Sequence, residues 1–471
     1  MANITDLDAL KLSKAIHDRS LSCLEVMQAY LDRIKKYNLK INAIISMRSY
    51  DDLILQAQSY DNIKPKGWLH GIPIAIKDLS ETKNLKTTWG SPLFKNHIST
   101  IDSLVSQRIK EAGAIIIGKT NTPEFGLGSH TYNPVNGITR NPYDLSKTAG
   151  GSSGGTAAAL AANLLPVADG SDMMGSLRNP AAFNNVYGFR PTWGLVPNDA
   201  DGDNFMQTLA TSGPMARNPM DLARLLETMV GPNPLVPVNL TPSDCYTSGL
   251  DKTVSNKIIG WIGDWNGYYQ YEHGINELSK DALTKYSKMG VEVEKFIPEF
   301  DPNLLWHSWL TLRSWSVSNG MRDLYKDKSK RDLLKPEIIY EIESGLALSA
   351  TQVYEASVVR SNWFQYLTKV FTKYDALALP SAQVFPFNVE TNWPNKINDV
   401  EMSTYHKWME VVIPVSLVGL PAINIPCGFN NENLPMGLQL FGAQGNDKLM
   451  LQFAQNYHLV TDWPNQKRPF L

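Results

Sequence analysis

The stretch from residue 150 to residue 197 constrains the fold of this chain more than any other. It holds eight glycines and six serines and threonines, and it opens with six small residues, GGSSGG, at 150–155. The Ala- and Leu-rich segment 156–165 predicts a helix, and the segment 166–168 predicts a short strand. A second serine site follows at Ser176. The stretch therefore places candidate nucleophiles and bare backbone donors in the loops of an α/β fold.

Two familiar kinds of site match the glycine loop only in part. A glycine-rich loop before a helix can bind phosphate, but no GK[ST] follows, and there is no G-x-G-x-x-G with an acid about 20 residues further on. The G-x-S-x-G pattern at 151–155 is typical of the nucleophile elbow of α/β hydrolases, which needs a strand before it and an acid and a histidine after it. Segment 141–147 indicates a loop instead of that strand. The later histidines lie in no recognisable context; they are His273, His307, His406 and His458.

A second candidate group lies upstream, where the sequence GIPIAIKD at 71–78 predicts a buried strand that ends in a charge. Burial of Lys77 would lower its pKa, which is what a lysine base requires. The alternative is a lysine whose stem extends to the surface. A helix predicted at 101–112 and a strand predicted at 113–119 would complete a βαβ unit in a parallel or mixed sheet.

Three segments together resemble the amidase signature family: GIPIAIKD at 71–78, GGSSGG at 150–155 and DMMGSLR at 172–178. The separations also resemble the family's, since 75 residues separate Lys77 from Ser152 and 24 separate Ser152 from Ser176. Further matching pieces lie at 118–125, 187–194, 419–422 and 434–439. The resemblance covers nearly the whole chain and is weakest between about 235 and 370.

The resemblance implies an amidase that works through an acyl-enzyme with a Ser-cisSer-Lys triad. By motif position, Ser176 is the nucleophile, Ser152 is the bridging serine after a non-proline cis peptide bond, and Lys77 is the base. Ser153 is only the neighbour of the bridging serine. No cofactor and no metal are required. The oxyanion is expected to bind backbone N–H groups of the nucleophile loop, namely those of Met173, Met174, Gly175 and Ser176.

One departure from the family pattern lies beside the nucleophile. The family usually has Gly-Gly before the nucleophilic serine, whereas this chain has Met174 and Gly175. A backbone donor survives that change, so we expect an altered substrate shape and retained catalysis. Asp172 and Arg178 are expected to brace the loop by pairing with each other.

The resemblance also sets the expected architecture. It implies an α/β fold with a single large α/β/α domain over 1–471, in which helices flank a mixed twisted sheet. The signature core is expected at about 65–230 and a variable substrate-cap region at 235–370. Length alone, at 471 residues, would favour two domains. Three tryptophans of the cap region either wall a substrate pocket or pack in the core: Trp306, Trp309 and Trp315.

Composition limits the expected partners and location. A net charge of −2 gives no electrostatic reason to expect nucleic acid or an anionic membrane. The three cysteines are widely spread and match no metal-binding spacing, and we find no signal-peptide pattern, so a reducing, cytoplasmic location is expected. The partner expected is a small-molecule amide. The sequence leaves open whether the chain acts as a monomer or a homodimer.

Two other functions remain open. One is the glutaminase component of a tRNA-dependent amidotransferase, although segment 128–133, GSHTYN, does not match the Ser-Thr-Glu-rich segment usual there. The C-terminal half is more similar to stand-alone amidases, including those that act on cyclic or linear aminohexanoate amides. The other alternative, a non-catalytic binding protein on the same scaffold, would be expected to lack a triad residue.

Overall fold

A computed structural model of the chain describes residues 3–242 and 245–470. Its helices, in chain order, are α1 (Ala9–His17), α2 (Cys23–Ile41), α3 (Tyr50–Asp61), α4 (Leu104–Glu111), α5 (Gly154–Ala161), α6 (Arg178–Phe183), α7 (Pro219–Met229), α8 (Ile275–Lys288), α9 (Pro302–Lys326), α10 (Lys328–Arg331), α11 (Pro336–Leu346), α12 (Ala350–Val370), α13 (Ile413–Ser416), α14 (Asp447–Thr461) and α15 (Trp463–Gln466). Short 3₁₀ turns lie at Ile4–Asp6, Pro92–Phe94, Glu124–Gly126 and Lys407–Val412.

The strands alternate with these helices. In chain order they are β1 (Ile44–Ile45), β2 (Pro73–Lys77), β3 (Ile115–Thr120), β4 (Tyr132–Asn133), β5 (Gly137–Ile138), β6 (Arg140–Asn141), β7 (Asp144–Thr148), β8 (Val167–Asp172), β9 (Tyr187–Arg190), β10 (Thr211–Ala216), β11 (Ile258–Trp261), β12 (Glu292–Lys295), β13 (Ala376–Pro380), β14 (Lys396–Ile397), β15 (Val400–Glu401), β16 (Ala422–Phe429) and β17 (Pro435–Phe441).

The largest sheet is mixed and has the strand order β12-β11-β13-β17-β16-β9-β10-β8. Strand β11 runs parallel to β12 and β13, and the remaining neighbours pair antiparallel. Helix α6 packs on β9, β16 and β17, while α8 and α14 pack on β16. The predicted α/β class, with a mixed sheet flanked by helices, is confirmed.

The predicted βαβ unit is also present, but in a separate three-stranded sheet of order β1-β3-β2. Strand β2 pairs parallel to β3, and α4 connects them. At the last residue of β2, the Lys77 N–H donates to Asp169 Oδ1 on β8, at 2.9 Å. This side-chain contact links the two sheets where a backbone ladder does not continue. It also brings the end of β2 to the strand that precedes the nucleophile loop.

The segment predicted as a substrate cap, 235–370, divides into two parts. Strands β11 and β12 and helix α8 belong to the largest sheet and its covering layer, whereas the part from α9 to α12 is helical. Helix α9 contacts α11 and α12, and Ser349 caps α12 with a reciprocal hydrogen bond to Gln352. Trp306 and Trp309 on α9 are buried, and Trp315 is half-buried. In the described part of the chain, no helix combines the length and apolar character needed to span a bilayer.

Candidate active site

Lys77, the last residue of β2, lies in a buried cluster of hydroxyl groups. The side chain is 1% exposed, so the interpretation of a buried lysine is confirmed. Its Nζ lies 2.8 Å from Ser152 Oγ, 2.9 Å from Ser153 Oγ and 3.1 Å from Ser171 Oγ. The amine is therefore held by three hydroxyls contributed by two separate segments.

Burial sets the protonation state of this amine. Because the charged form is poorly solvated there, burial lowers the pKa of Lys77 to about 7, against an opposing influence of Asp169 and Asp172. A substantial fraction of Lys77 is consequently neutral near pH 7. The neutral amine has a lone pair that can accept a proton from a serine hydroxyl.

Hydrogen bonds from a preceding segment fix the glycine loop. Thr131 Oγ1 donates to the Gly150 carbonyl at 2.7 Å, and Ser129 Oγ donates to the Gly151 carbonyl at 2.7 Å. The peptide bond between Gly151 and Ser152 is cis, as the resemblance implies. Segment 128–133, which departs from the amidotransferase pattern, thus supports the loop that presents Ser152.

The loop that carries Ser176 is organised by the carboxylate of Asp172 at the end of β8. Its Oδ1 accepts from the Gly175 N–H at 2.9 Å, and its Oδ2 accepts from Arg178 Nε at 3.1 Å. Arg190 Nη1 also donates to Oδ1, at 3.1 Å. Burial alone would raise the pKa of Asp172, but the two guanidinium groups outweigh burial and hold the pKa well below its usual range. The expected pairing of Asp172 with Arg178 is confirmed.

This arrangement changes the predicted set of oxyanion donors. The Gly175 N–H is bonded to Asp172, so the prediction that it is available for an oxyanion is wrong in this conformation. The N–H groups of Met173, Met174 and Ser176 make no hydrogen bond within the described residues. The Ser176 hydroxyl likewise has no partner there, and it forms no hydrogen bond with Ser152. Three backbone donors and one hydroxyl of cavity-lining residues are thus without a hydrogen-bond partner among the described residues.

One cavity of about 140 Å³ joins these groups. The hydroxyl-bearing residues Ser152, Ser171 and Ser176 line it, and Arg313 supplies the charged side chain among the described lining residues. The other walls are mostly apolar and include Leu79, Phe125, Leu127, Met173, Met174, Ala210 and Met409. None of the three tryptophans lines the cavity, so core packing describes the two buried ones. Among the described residues, no group of histidine, cysteine and carboxylate side chains is placed to hold a metal ion.

Sequence reasoning missed three residues of this site. Asp169 and Ser171 flank a glycine on β8, and extending the short predicted strand by four residues would have put both on one face of it. That is the face that contacts Lys77. Arg313 has no comparable signal, because it contacts Met173 from 140 positions away in the sequence. Long-range contacts of this kind depend on how helices α9, α11 and α12 pack.

The family comparison agrees with the motifs. The model of the Amidase family matches residues 25–451. The A subunit of the glutamyl-tRNA(Gln) amidotransferase of Alkaliphilus metalliredigens is 32% identical, over 98% of this chain and 99% of the relative. An acylamidase of Rhodococcus erythropolis is 29% identical, over 99% of this chain and 98% of the relative.

Solved structures show the same fold. A bacterial aryl acylamidase of the amidase signature family superposes with a TM-score of 0.91 at 25% identity, covering 98% of this chain and 97% of that one. A 6-aminohexanoate cyclic dimer hydrolase superposes with a TM-score of 0.88 at 23% identity, over 100% and 99% of the two chains. Fold and matches together define an amide hydrolase. The chain belongs to the amidase family.

Proposed function

We propose that this chain hydrolyses a carboxylic amide through an acyl-enzyme on Ser176, with Ser152 as proton relay and Lys77 as base. The observation that carries the proposal is the 2.8 Å contact of Lys77 Nζ with Ser152 Oγ. It lies in a site where burial lowers the pKa of the lysine to about 7. A lysine that is partly neutral at neutral pH can deprotonate a hydroxyl relay.

The first half of the reaction forms the acyl-enzyme. Neutral Lys77 accepts the proton of Ser152, while Ser152 accepts the proton of Ser176, whose Oγ attacks the amide carbonyl carbon. The oxyanion that forms accepts from the free N–H groups of Met173, Met174 and Ser176. The proton returns along the relay to the leaving nitrogen, the C–N bond breaks, and the amine departs.

The second half repeats these steps with water. A water molecule gives its proton to the same relay and attacks the ester carbonyl, and Ser176 leaves with a proton from Ser152. The relay requires Ser176 Oγ to contact Ser152 Oγ once substrate occupies the cavity. Both serines line that cavity, which supports this step. The proposal needs no group outside the protein and water.

Amine release from a panel of aryl and alkyl amides tests the proposal. Wild-type protein should release amine from at least one member, and the Ser176→Ala variant should release none above background. The control is Ser171→Ala, which removes a hydroxyl that holds Lys77 Nζ but leaves the attacking hydroxyl in place, so it should lower amine release without abolishing it. Equal release by wild type and Ser176→Ala would overturn the proposed hydrolysis.

The glutaminase component of an amidotransferase is a second candidate, favoured by the 32% identity to such a protein. The cavity argues against it: its described lining includes Arg313 but no carboxylate for the α-ammonium group of glutamine. Hydrolysis of simple amides without glutamine turnover would support the stand-alone amidase. Glutamine as the only substrate accepted would favour the glutaminase. We also propose the helical part of segment 235–370, from α9 to α12, as the substrate cap, since α9 contributes Arg313 to the cavity.

A further inference from the structure

Arg313 lines the Ser176 cavity, and hydrogen bonds to Glu341 on α11 and to Tyr405 hold its guanidinium group in place. The side chain is 3% exposed. Its Nε donates to Glu341 Oε1 at 2.6 Å, and its Nη2 donates to the Tyr405 hydroxyl at 2.8 Å. Among the described residues, its Nη1 contacts only the thioether sulfur of Met173, at 3.2 Å. Nε and Nη2 thus each donate to an oxygen, whereas Nη1 does not.

The Nη1 group of Arg313 lacks a strong acceptor. A thioether accepts hydrogen bonds weakly, and a buried charged donor left without a good acceptor is costly. The rest of the network is well satisfied, because Glu341 also accepts from Ser314 Oγ and from the Tyr405 hydroxyl, each at 2.7 Å. Nη1 is therefore a fixed donor without a strong acceptor, and Met173, which it contacts, also lines the cavity.

The charge of the cluster restricts what can bind there. Burial opposes both charges, but each partner favours the other: the pKa of Glu341 lies below its ordinary value and that of Arg313 above it. His406, 3.8 Å from Glu341, is neutral because burial lowers its pKa to about 3. The Arg313–Glu341 pair is neutral overall.

Lys335 donates to the Leu127 carbonyl at the cavity wall. Its ammonium group interacts with both Glu124 and Glu337. A substrate carboxylate at Nη1 would therefore add an uncompensated negative charge. An uncharged carbonyl oxygen at Nη1 would add no charge.

We propose that Arg313 is a specificity-determining residue whose Nη1 binds a second, uncharged carbonyl oxygen in the acyl part of the substrate. The acyl part is favoured because Met173, which Nη1 contacts, lies on the loop whose N–H groups we propose to bind the oxyanion. The substrate class is the short diamide and related amides with a second neutral carbonyl. This inference deepens the proposed function and rests on it for its catalytic consequence.

Three primary amides with the same leaving group test the preference: succinamide, its apolar isostere 4-methylpentanamide, and succinamate. Initial ammonia release should give a kcat/KM for succinamide about tenfold to a hundredfold above that for 4-methylpentanamide. Succinamate should fall below succinamide. Equal values for succinamide and 4-methylpentanamide, or a preference for succinamate, would overturn the inference.

Three variants separate hydrogen bonding from charge. Combining Arg313→Met with Glu341→Gln removes the pair together, and the kcat/KM ratio of succinamide to 4-methylpentanamide should fall to about one. Glu341→Gln alone leaves the guanidinium uncompensated and should shift the preference toward succinamate. Arg313→Lys keeps the positive charge but loses the planar guanidinium group. It replaces the double variant in this test if the double variant does not fold. An unchanged kcat/KM ratio of succinamide to 4-methylpentanamide in the double variant or in Arg313→Lys would contradict the role of Arg313.

Binding distinguishes failure of this inference from failure of the proposed function. In calorimetry with the Ser176→Ala protein, succinamide should bind more tightly than 4-methylpentanamide, and the Arg313 variants should abolish the difference. Equal binding overturns the inference even if amides are hydrolysed. Preferential binding without any hydrolysis by wild type would uphold the inference and overturn the proposed amide hydrolysis.

Discussion

Lys77 Nζ lies 2.8 Å from Ser152 Oγ, although the two residues are 75 positions apart. The contact exists because β2 ends beside β8, where the Lys77 N–H donates to Asp169. That hydrogen bond fixes the backbone of the lysine, and the three surrounding hydroxyls fix its amine. The position and protonation of this one side chain determine what the site can do.

The rate should depend on pH through Lys77. With a pKa of about 7, the lysine is protonated below that value and cannot act as base, so kcat/KM should rise with pH and level off above about pH 8. The measurement is a pH–rate profile on any amide that is turned over, with circular dichroism showing an unchanged fold. A rate that falls steadily from about pH 6 to about pH 9 would contradict a lysine base.

Ser152 and Ser153 should differ in their effect on catalysis, although both contact Lys77 Nζ. Ser152 lines the cavity with Ser176, whereas Ser153 accepts from the Ser171 N–H and faces β8. Ser152→Ala should lower kcat by about 10²–10⁴-fold, and the matched Ser153→Ala by much less. Steady-state kinetics on folded protein measures both. Equal losses of kcat in the two variants would contradict the role of Ser152 as the proton relay.

Gly175→Ala should destabilise the protein. The glycine has φ +77°, and a Cβ there would lie 2.8 Å from Val412 Cγ1. Left-handed strain and overpacking together predict a loss of about 2–4 kcal/mol in the free energy of unfolding. Gly320→Ala is the control, because it lies in α9 with nothing within 4 Å of its Cβ position and should gain about 0.5–1 kcal/mol. Urea unfolding compares them, and similar effects would contradict the packing described here.

Asp172→Asn should loosen the nucleophile loop. The carboxylate pairs with Arg178 and Arg190 in full burial, and breaking one side of such a pair costs about 3–5 kcal/mol. The control is Asp18→Asn, which breaks an exposed pair with Lys14 and should have no measurable effect on unfolding. A stable Asp172→Asn protein with wild-type activity would show that the loop does not depend on this carboxylate.

Met174→Gly should widen the range of acyl groups. Met174 is 3% exposed and lines the cavity, and the change leaves its backbone N–H in place. Removing the side chain should raise kcat/KM for benzamide relative to acetamide by about tenfold or more. Both substrates release ammonia, so one assay measures the ratio. An unchanged ratio would mean that Met174 does not limit the acyl group.

The sequence predicted the parts of this molecule that depend on local pattern or motif spacing. The α/β class follows from the pattern of apolar strands and helices. The apolar run before Lys77 allowed either a buried lysine or one whose stem extends to the surface, and the Asp172–Arg178 pairing was expected from the family motif. The hydrogen bond from the Gly175 N–H to Asp172 was not predictable, because it depends on the orientation of the Asp172 carboxylate. A residue pattern does not specify that orientation.

Tertiary packing set the remaining features. The βαβ unit was predicted correctly, but it lies in a separate sheet, and its Lys77 N–H donates to the side chain of Asp169 on β8 and not to a strand backbone. Tryptophan spacing on α9 could not distinguish a pocket wall from core. The side chain of α9 that reaches the cavity is Arg313, whose partners lie on two other segments of the chain.

Covalent labelling tests the central claim most directly. The protein is incubated with a fluorophosphonate near pH 8, digested, and mapped by mass spectrometry, with Lys77→Met as the variant that lacks the base. The account predicts a single adduct on Ser176 in the wild type and slow labelling in the variant. An adduct on Ser152, Ser153 or Ser171 in place of Ser176, or no adduct at all, would contradict it.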